Sequence, residues 1–174
     1  MTAAAQAFEL GKLGHDDKEL RINSREDYRH AVLGFAEQAA QRLLIFSRDL
    51  DARLFDQAPF VEACKQLVLR HERCHVRMLV QNAESLRGRD SRLISLMQRL
   101  PSRIELKICH EEHQSHPEQF MIADNSGLIL QRVADRLNIS ANCKAPLAVK
   151  QYEALFNSIW EVSEIDSSLR RLSL

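Results

Sequence analysis

The segment Gln119–Arg132, QFMIADNSGLILQR, reads as strand, turn, strand. Phe120, Met121, Ile122 and Ala123 form a short apolar run. Asp124-Asn125-Ser126-Gly127 supply turn chemistry, and Leu128, Ile129 and Leu130 resume the run. Apolar runs of this length, broken by Asp, Asn, Ser and Gly, mark two buried strands joined by a tight turn. Just upstream, His116-Pro117-Glu118-Gln119 forms a polar approach to the first strand.

Elements alternate outward from this hairpin. Before it, Ile104–Ile108 alternates apolar and polar residues, as a strand with one wet face does. Leu93, Ile94, Met97 and Leu100 recur at helical spacing and stop before Pro101, and Val76–Val80 is a further strand. Phe60, Val61, Cys64, Leu67 and Val68 predict a helix opened by Pro59, a residue favoured in a first helical turn. Leu43–Phe46 is a continuous apolar strand ending in the polar cluster Ser47-Arg48-Asp49-Leu50-Asp51. Ser24-Arg25-Glu26-Asp27 has the form of a capping box, so a helix starts at Ser24 and turns Tyr28, Ala31, Val32, Phe35 and Ala39 to one side. After the hairpin the pattern weakens through Val133–Lys144. Pro146 then opens a long helix with Leu147, Tyr152, Leu155, Phe156, Ile159 and Trp160 on one face, and the tail carries Ile165, Leu169 and Leu172. Strands alternating with helices predict an α/β domain: a mixed, mostly parallel sheet with helices on both faces. The domain is expected over residues 24–174. Residues 1–23, small and polar without a sustained period, are expected as a flexible arm with a short strand or turn at Leu20–Ile22.

Composition narrows the function classes. The 174 residues carry 24 Lys and Arg against 24 Asp and Glu, so no global field draws the chain to nucleic acid or to an anionic membrane. Arginine is nonetheless dense between Lys65 and Lys107, with Arg70, Arg73, Arg77, Arg87, Arg89, Arg92, Arg99 and Arg103. That segment is read either as a solvated face with local ion pairs or as a nucleic-acid surface. Cys64, Cys74, Cys109 and Cys143 form no CxxC pair, which suits free thiols in a reducing cytoplasm. The first residues lack a secretory pattern, and no apolar run is long enough to span a bilayer. Cys109, His110, His113 and His116 cluster in sequence. Their spacing lacks the paired pattern of a structural zinc site and is read as a solvated loop, so neither metal nor cofactor is expected. Ser47 and Ser126 have no evident histidine-acid partner for hydrolase chemistry.

With Asp124 closing the first strand of the hairpin, the chain resembles the phospholipase D superfamily, whose signature is His-x-Lys, four apolar residues, then Asp. The ending Phe156-Asn157-Ser158-Ile159-Trp160-Glu161 is similar to the F-x-x-hydrophobic-W ending common in that superfamily. The resemblance runs from Glu26 to Glu161. It extends to small proteobacterial phospholipase D-like domains that carry RDLD and LFD segments like Arg48–Asp51 and Leu54–Asp56. It implies a phospholipase D-like half-domain. Family chemistry is phosphoryl transfer in which a histidine attacks phosphorus, a lysine holds phosphate oxygens and a second histidine protonates the leaving group. Small members draw their second motif from another subunit, which implies a homodimer. Such domains also accompany acetyltransferase domains, which implies an acetyltransferase domain or neighbour as a partner.

Counting back from Asp124, Gln119 stands at the lysine position and Pro117 at the histidine position. Proline offers no nucleophile, and glutamine donates hydrogen bonds to a phosphate without neutralising it. His116 lies one residue early, which in a strand turns it to the opposite face unless a bulge intervenes. The expected function is therefore a catalytically degenerate domain that binds, regulates or assembles. The alternatives are a phosphodiesterase or nuclease using non-standard residues, or a nucleic-acid module using the arginine-rich segment. Ligands of open α/β sheets lie beyond the carboxyl ends of parallel strands. Arg48, Gln119, Arg132 and, more faintly, His110 are thus the candidates for holding a small anionic or phosphorylated ligand. Arg48 can instead pair with Asp49, Asp51 or Asp124 and simply hold the loops.

Overall fold

The computed structural model describes residues 8–133 and 136–170. In chain order the elements are β1 (Leu20–Ile22), α1 (Arg25–Gln38), β2 (Arg42–Ser47), α2 (Ala52–Phe55), α3 (Ala58–Arg70), β3 (His75–Val80) and α4 (Arg92–Arg99). They continue with β4 (Ile104–Ile108), β5 (Gln119–Ala123), β6 (Gly127–Gln131), β7 (Ile139–Asn142), α5 (Pro146–Val162) and α6 (Ser167–Arg170). The strands form one open mixed sheet in the order β1-β7-β6-β5-β2-β3-β4. β2, β3 and β4 run parallel, and the β2–β5, β5–β6, β6–β7 and β7–β1 pairs are antiparallel. Antiparallel pairing outweighs parallel because β7, in the stretch where the sequence pattern weakens, and β1, only a faint signal in the sequence, extend the hairpin side.

Period-two alternation divides the core. Leu43 and Ile45 of β2 join α1, α3 and α4 in the larger apolar cluster, whereas Leu44 and Phe46 join α5 in the smaller one. The helix starts follow local chemistry. The Ser24 hydroxyl accepts the Asp27 N–H at 3.1 Å. Ser91 caps α4 by accepting the Ile94 N–H at 3.2 Å, and the Asp56 carboxylate takes both the Ser91 hydroxyl and the Leu93 N–H at 2.9 Å. Pro59 and Pro146 sit in the first turns of α3 and α5.

The segment 8–22, expected within a flexible arm, is docked on the domain; residues 1–7 lie outside the described residues. Phe8, Leu10 and Leu13 pack on the larger core. The Gln38 side chain holds Gly11 O at 3.0 Å and the Leu13 N–H at 2.8 Å, and Gly14 N–H donates to Cys143 O at 2.8 Å. A Cβ on Gly127 would lie 2.5 Å from Leu13 Cδ1 and 2.9 Å from the Phe35 ring, so only glycine admits this approach. Three apolar anchors without a common period do not reveal themselves as an element in sequence.

The other end of the chain also packs back. Ile108 N–H donates to Glu164 O at 2.7 Å on the free edge of β4, and Leu169 is buried beside α4, where Gln98 donates to its carbonyl at 3.0 Å. Leu169 of the apolar tail is spent inside its own core, and Leu172 lies outside the described residues. Arg42 ties α5 to the hairpin turn. It makes a bidentate pair with Glu153 at 2.6 and 2.8 Å and reaches Asn125 Oδ1 at 3.0 Å. Those hydrogen bonds hold the Glu153 carboxyl below its usual range.

Candidate functional site

The carboxyl end of β2 opens into a cleft of about 380 Å³. Antiparallel pairing sets Phe46 opposite Phe120, and Gln119 opposite Gln131, so the amino end of β5 and the carboxyl end of β6 meet β2 here. Gln119, Met121 and Gln131 line the floor. Arg25, Tyr28 and Arg29 come from the first turns of α1, Arg53, Leu54 and Phe55 from α2, and Arg136 and Leu137 from the β6–β7 loop. Arg48, Asp49 and Asp51 complete the wall after β2.

Local structure positions each group. Ser47 is buried, and its hydroxyl accepts the Leu50 N–H at 3.0 Å, closing a tight turn in which Leu50 takes a φ of 51°. A buried leucine in the left-handed region stores strain, and such strain gathers at functional sites. Gln119 Oε1 accepts the Arg48 N–H at 3.1 Å and faces the Ser47 hydroxyl at 3.4 Å. The carboxamide is thereby oriented, and its Nε2 donor has no protein partner among the described residues. Gln131 Nε2 donates to Arg136 O at 2.9 Å and anchors the loop that carries Arg136 and Leu137. Asp51 accepts the Arg53 backbone N–H at 2.9 Å and the Arg53 guanidinium at 2.8 and 3.1 Å. Burial raises the Asp51 carboxyl, and the charges of Arg25 and Arg89 draw it back down. Burial, aided by Asp51, pushes the Tyr28 phenol far above its usual range.

Of the residues singled out from sequence, Arg48 and Gln119 line the cleft. Pro117 is exposed and outside its lining. The His116 ring, in the loop before β5, stands edge-on to Phe46 with centroids 5.6 Å apart and is outside the cleft lining. Arg132 is exposed and outside the cleft, its charge felt instead by Tyr152 of α5, because it follows Gln131 and strand neighbours face opposite ways. His110 is exposed on the loop after β4, where its ring accepts the Glu112 N–H at 3.3 Å, and it too lies outside the cleft. Asp124 sits at the far end of β5, bonded to the backbone of Ala40, Gln41 and Arg42. It is therefore out of reach of Arg48, since β2 separates the two by roughly 16 Å of strand. Gln81 Nε2 holds the His113 and His116 carbonyls at 3.0 and 2.9 Å, giving the histidine loop its shape. Among the described residues no three His, Cys, Asp or Glu side chains converge as metal ligands.

Sequence reading missed Arg25, Tyr28 and Arg29. The available signal was their spacing on α1, which sets three polar-tipped residues on one face of its first turns. The arginine-rich segment is largely consumed internally. Arg70, Arg89, Arg92 and Arg103 donate to backbone carbonyls, Arg87 pairs with Asp166 at 2.8 Å, and Arg77 lies by Glu105 and the Trp160 ring.

Comparison with solved structures shows the same fold. NucT from Helicobacter pylori aligns with a TM-score of 0.60 at 10% identity, over 86% of this chain and 99% of that one. Nuc from Salmonella typhimurium, a phospholipase D family member, gives 0.55 at 16%, over 79% and 90%. TrmBL2, an archaeal chromatin protein described as showing a novel mode of DNA binding, gives 0.60 at 14% over 87% of this chain, which spans only 54% of TrmBL2. No curated protein matches the sequence. Residues 24–172 match the family described as "Domain of unknown function (DUF7931)", and the chain, phospholipase D-like in fold, belongs to that family.

Proposed function

We propose that this chain is a catalytically silent phospholipase D-like domain that uses its cleft to bind a small anionic ligand. The observation that carries this reading is Gln119. It stands where the resemblance expects a lysine, its carbonyl is held by the Arg48 N–H, and its amide donor faces a cleft lined by arginines. An oriented neutral donor can recognise a phosphate oxygen without supplying the charge that phosphoryl transfer needs. Pro117 brings no nucleophile, and the His116 ring is packed against Phe46. Purified protein is therefore expected to leave bis-p-nitrophenyl phosphate, phospholipid and DNA uncleaved, while phosphate-bearing anions raise its melting temperature. Turnover that co-purifies with the protein and vanishes in His116→Ala would overturn the silent reading.

The domain also acts as a homodimer in this proposal, as its resemblance to small phospholipase D-like members that draw their second motif from another subunit implies. Light scattering at tens of micromolar is expected to show twice the 20.0 kDa chain mass, and a purely monomeric result would refute the pairing. Of the arginines behind the nucleic-acid alternative, Arg77 and Arg87 lie against carboxylates, and Arg70, Arg89, Arg92 and Arg103 direct donors to backbone carbonyls. A DNA or RNA affinity falling steeply with added salt would support that alternative. The four cysteines are free and buried, which suits the cytoplasmic setting read from the sequence, and no described helix is long and apolar enough to cross a membrane.

A further inference from the structure

We infer that the cleft takes a small phosphomonoester, its dianion held by Arg25, Arg29 and Arg136 and its apolar body against Leu54, Phe55 and Leu137. This rests on reading the cleft as an anion site and specifies what fills it.

Charge points to a dianion. Among the described residues the lining holds five arginines (Arg25, Arg29, Arg48, Arg53 and Arg136) against three carboxylates (Glu26, Asp49 and Asp51), on a chain whose net charge is zero. A phosphodiester carries one negative charge, whereas a monoester near neutral pH carries close to two.

The placement of the charge agrees. Arg53 is occupied by Asp51. The guanidinium groups of Arg25, Arg29 and Arg136 make no hydrogen bond among the described residues, although Asp51 feels the charge of Arg25. Arg25 and Arg29 stand one turn apart on α1, and Arg136 projects from the β6–β7 loop. A guanidinium fork binds phosphate oxygens bidentately, so three of them lining one cleft suit the oxygens of a terminal phosphate. Gln119 is neutral, so it contributes one hydrogen bond from the floor while the countercharge comes from α1 and the loop.

Size and polarity define the remainder. A volume of about 380 Å³ lies within the range of small-molecule sites and exceeds what a bare phosphate occupies. The wall beside the arginines includes Leu54, Phe55 and Leu137, which offer a compact organic group an apolar surface.

The test is calorimetric titration of the full chain with adenosine 5′-monophosphate, inorganic phosphate and bis-p-nitrophenyl phosphate. The nucleotide is expected to bind at least about tenfold more tightly than either the diester or inorganic phosphate. Arg29 and Arg136 are exposed, so Arg29→Gln and Arg136→Gln should fold normally, with unchanged melting temperature in the absence of ligand. Each is expected to weaken the nucleotide about fivefold and the diester less than about twofold. A diester that binds as tightly as the nucleotide, or inorganic phosphate that does so, overturns the ligand class and leaves the anion-binding reading standing. If none of the three anions binds, both readings fall together.

Discussion

Phe156→Ala is expected to lower the free energy of unfolding by about 3–5 kcal/mol, the usual consequence of deleting a buried aromatic ring. Phe156 is fully buried. Its ring stacks on Trp160 with centroids 5.7 Å apart and meets Phe120 edge-on at 6.5 Å. The two faces of the sheet differ in redundancy. α1, α3 and α4 contribute to the larger core, whereas α5 is the long helix over Leu44, Phe46, Leu79, Phe120, Ile122 and Leu130. A cavity at Phe156 therefore loosens the cover of an entire face. Urea denaturation gives the magnitude. The fluorescence of Trp160, the chain's single tryptophan, reports whether α5 has shifted. Leu147→Ala on the same helix, at a position 84% exposed, should change stability by no more than about 0.5 kcal/mol. Equal effects from the two substitutions would mean that α5 is not the support of that face.

The hairpin and the parallel strands were legible because their signals are local. Phe120–Ala123 and Leu128–Leu130 are uninterrupted apolar runs around a turn, and the helix starts at Ser24, Pro59 and Pro146 follow from capping and ring geometry. β7 was not legible. Ile139–Asn142 is four residues long with alternate positions polar, and its place comes from pairing with β6 and β1 rather than from its own composition. The docked segment 8–22 was hidden for a similar reason, since Leu10 and Leu13 find their partners at Gly34 and Gly127, far along the chain.

The site was legible in half. Strand ends can be placed from strand calculus, so Arg48 and Gln119 fell where topology puts them. Arg132 failed by one residue: its neighbour Gln131 faces the cleft, and alternation turns Arg132 toward Tyr152. Whether a residue at a strand terminus faces in or out depends on register, which the end of an apolar run leaves uncertain by one. Arg25, Arg29 and Arg136 enter the cleft through the packing of α1 and of a loop against the sheet, a tertiary relation that no short window of sequence carries.

Asp124→Ala is expected to cost about 2–4 kcal/mol of stability. Asp124 belongs to the motif through which the chain resembles a phosphoryl-transfer family, yet it lies at the opposite end of β5 from the cleft. Its Oδ1 accepts the Ala40, Gln41 and Arg42 N–H groups at 3.1, 2.7 and 3.1 Å, and Oδ2 accepts Ala40 N–H at 2.9 Å. Three consecutive backbone donors at the α1–β2 junction thus converge on one carboxylate, a charge-assisted arrangement stronger than neutral hydrogen bonds. Alanine leaves those donors without their acceptor. It also places a β-carbon residue that lacks the local hydrogen-bonding of Asp at a φ of 55°. Asp124→Asn keeps one acceptor oxygen and tolerates the left-handed backbone, so its loss should be about half as large. The pair separates architecture from chemistry. If Asp124 only clamps the fold, Asp124→Asn held below its lowered melting temperature binds cleft ligands as wild type does. Alanine as stable as wild type in urea, or asparagine that stays folded and loses ligand binding, would defeat this account of the motif's last residue.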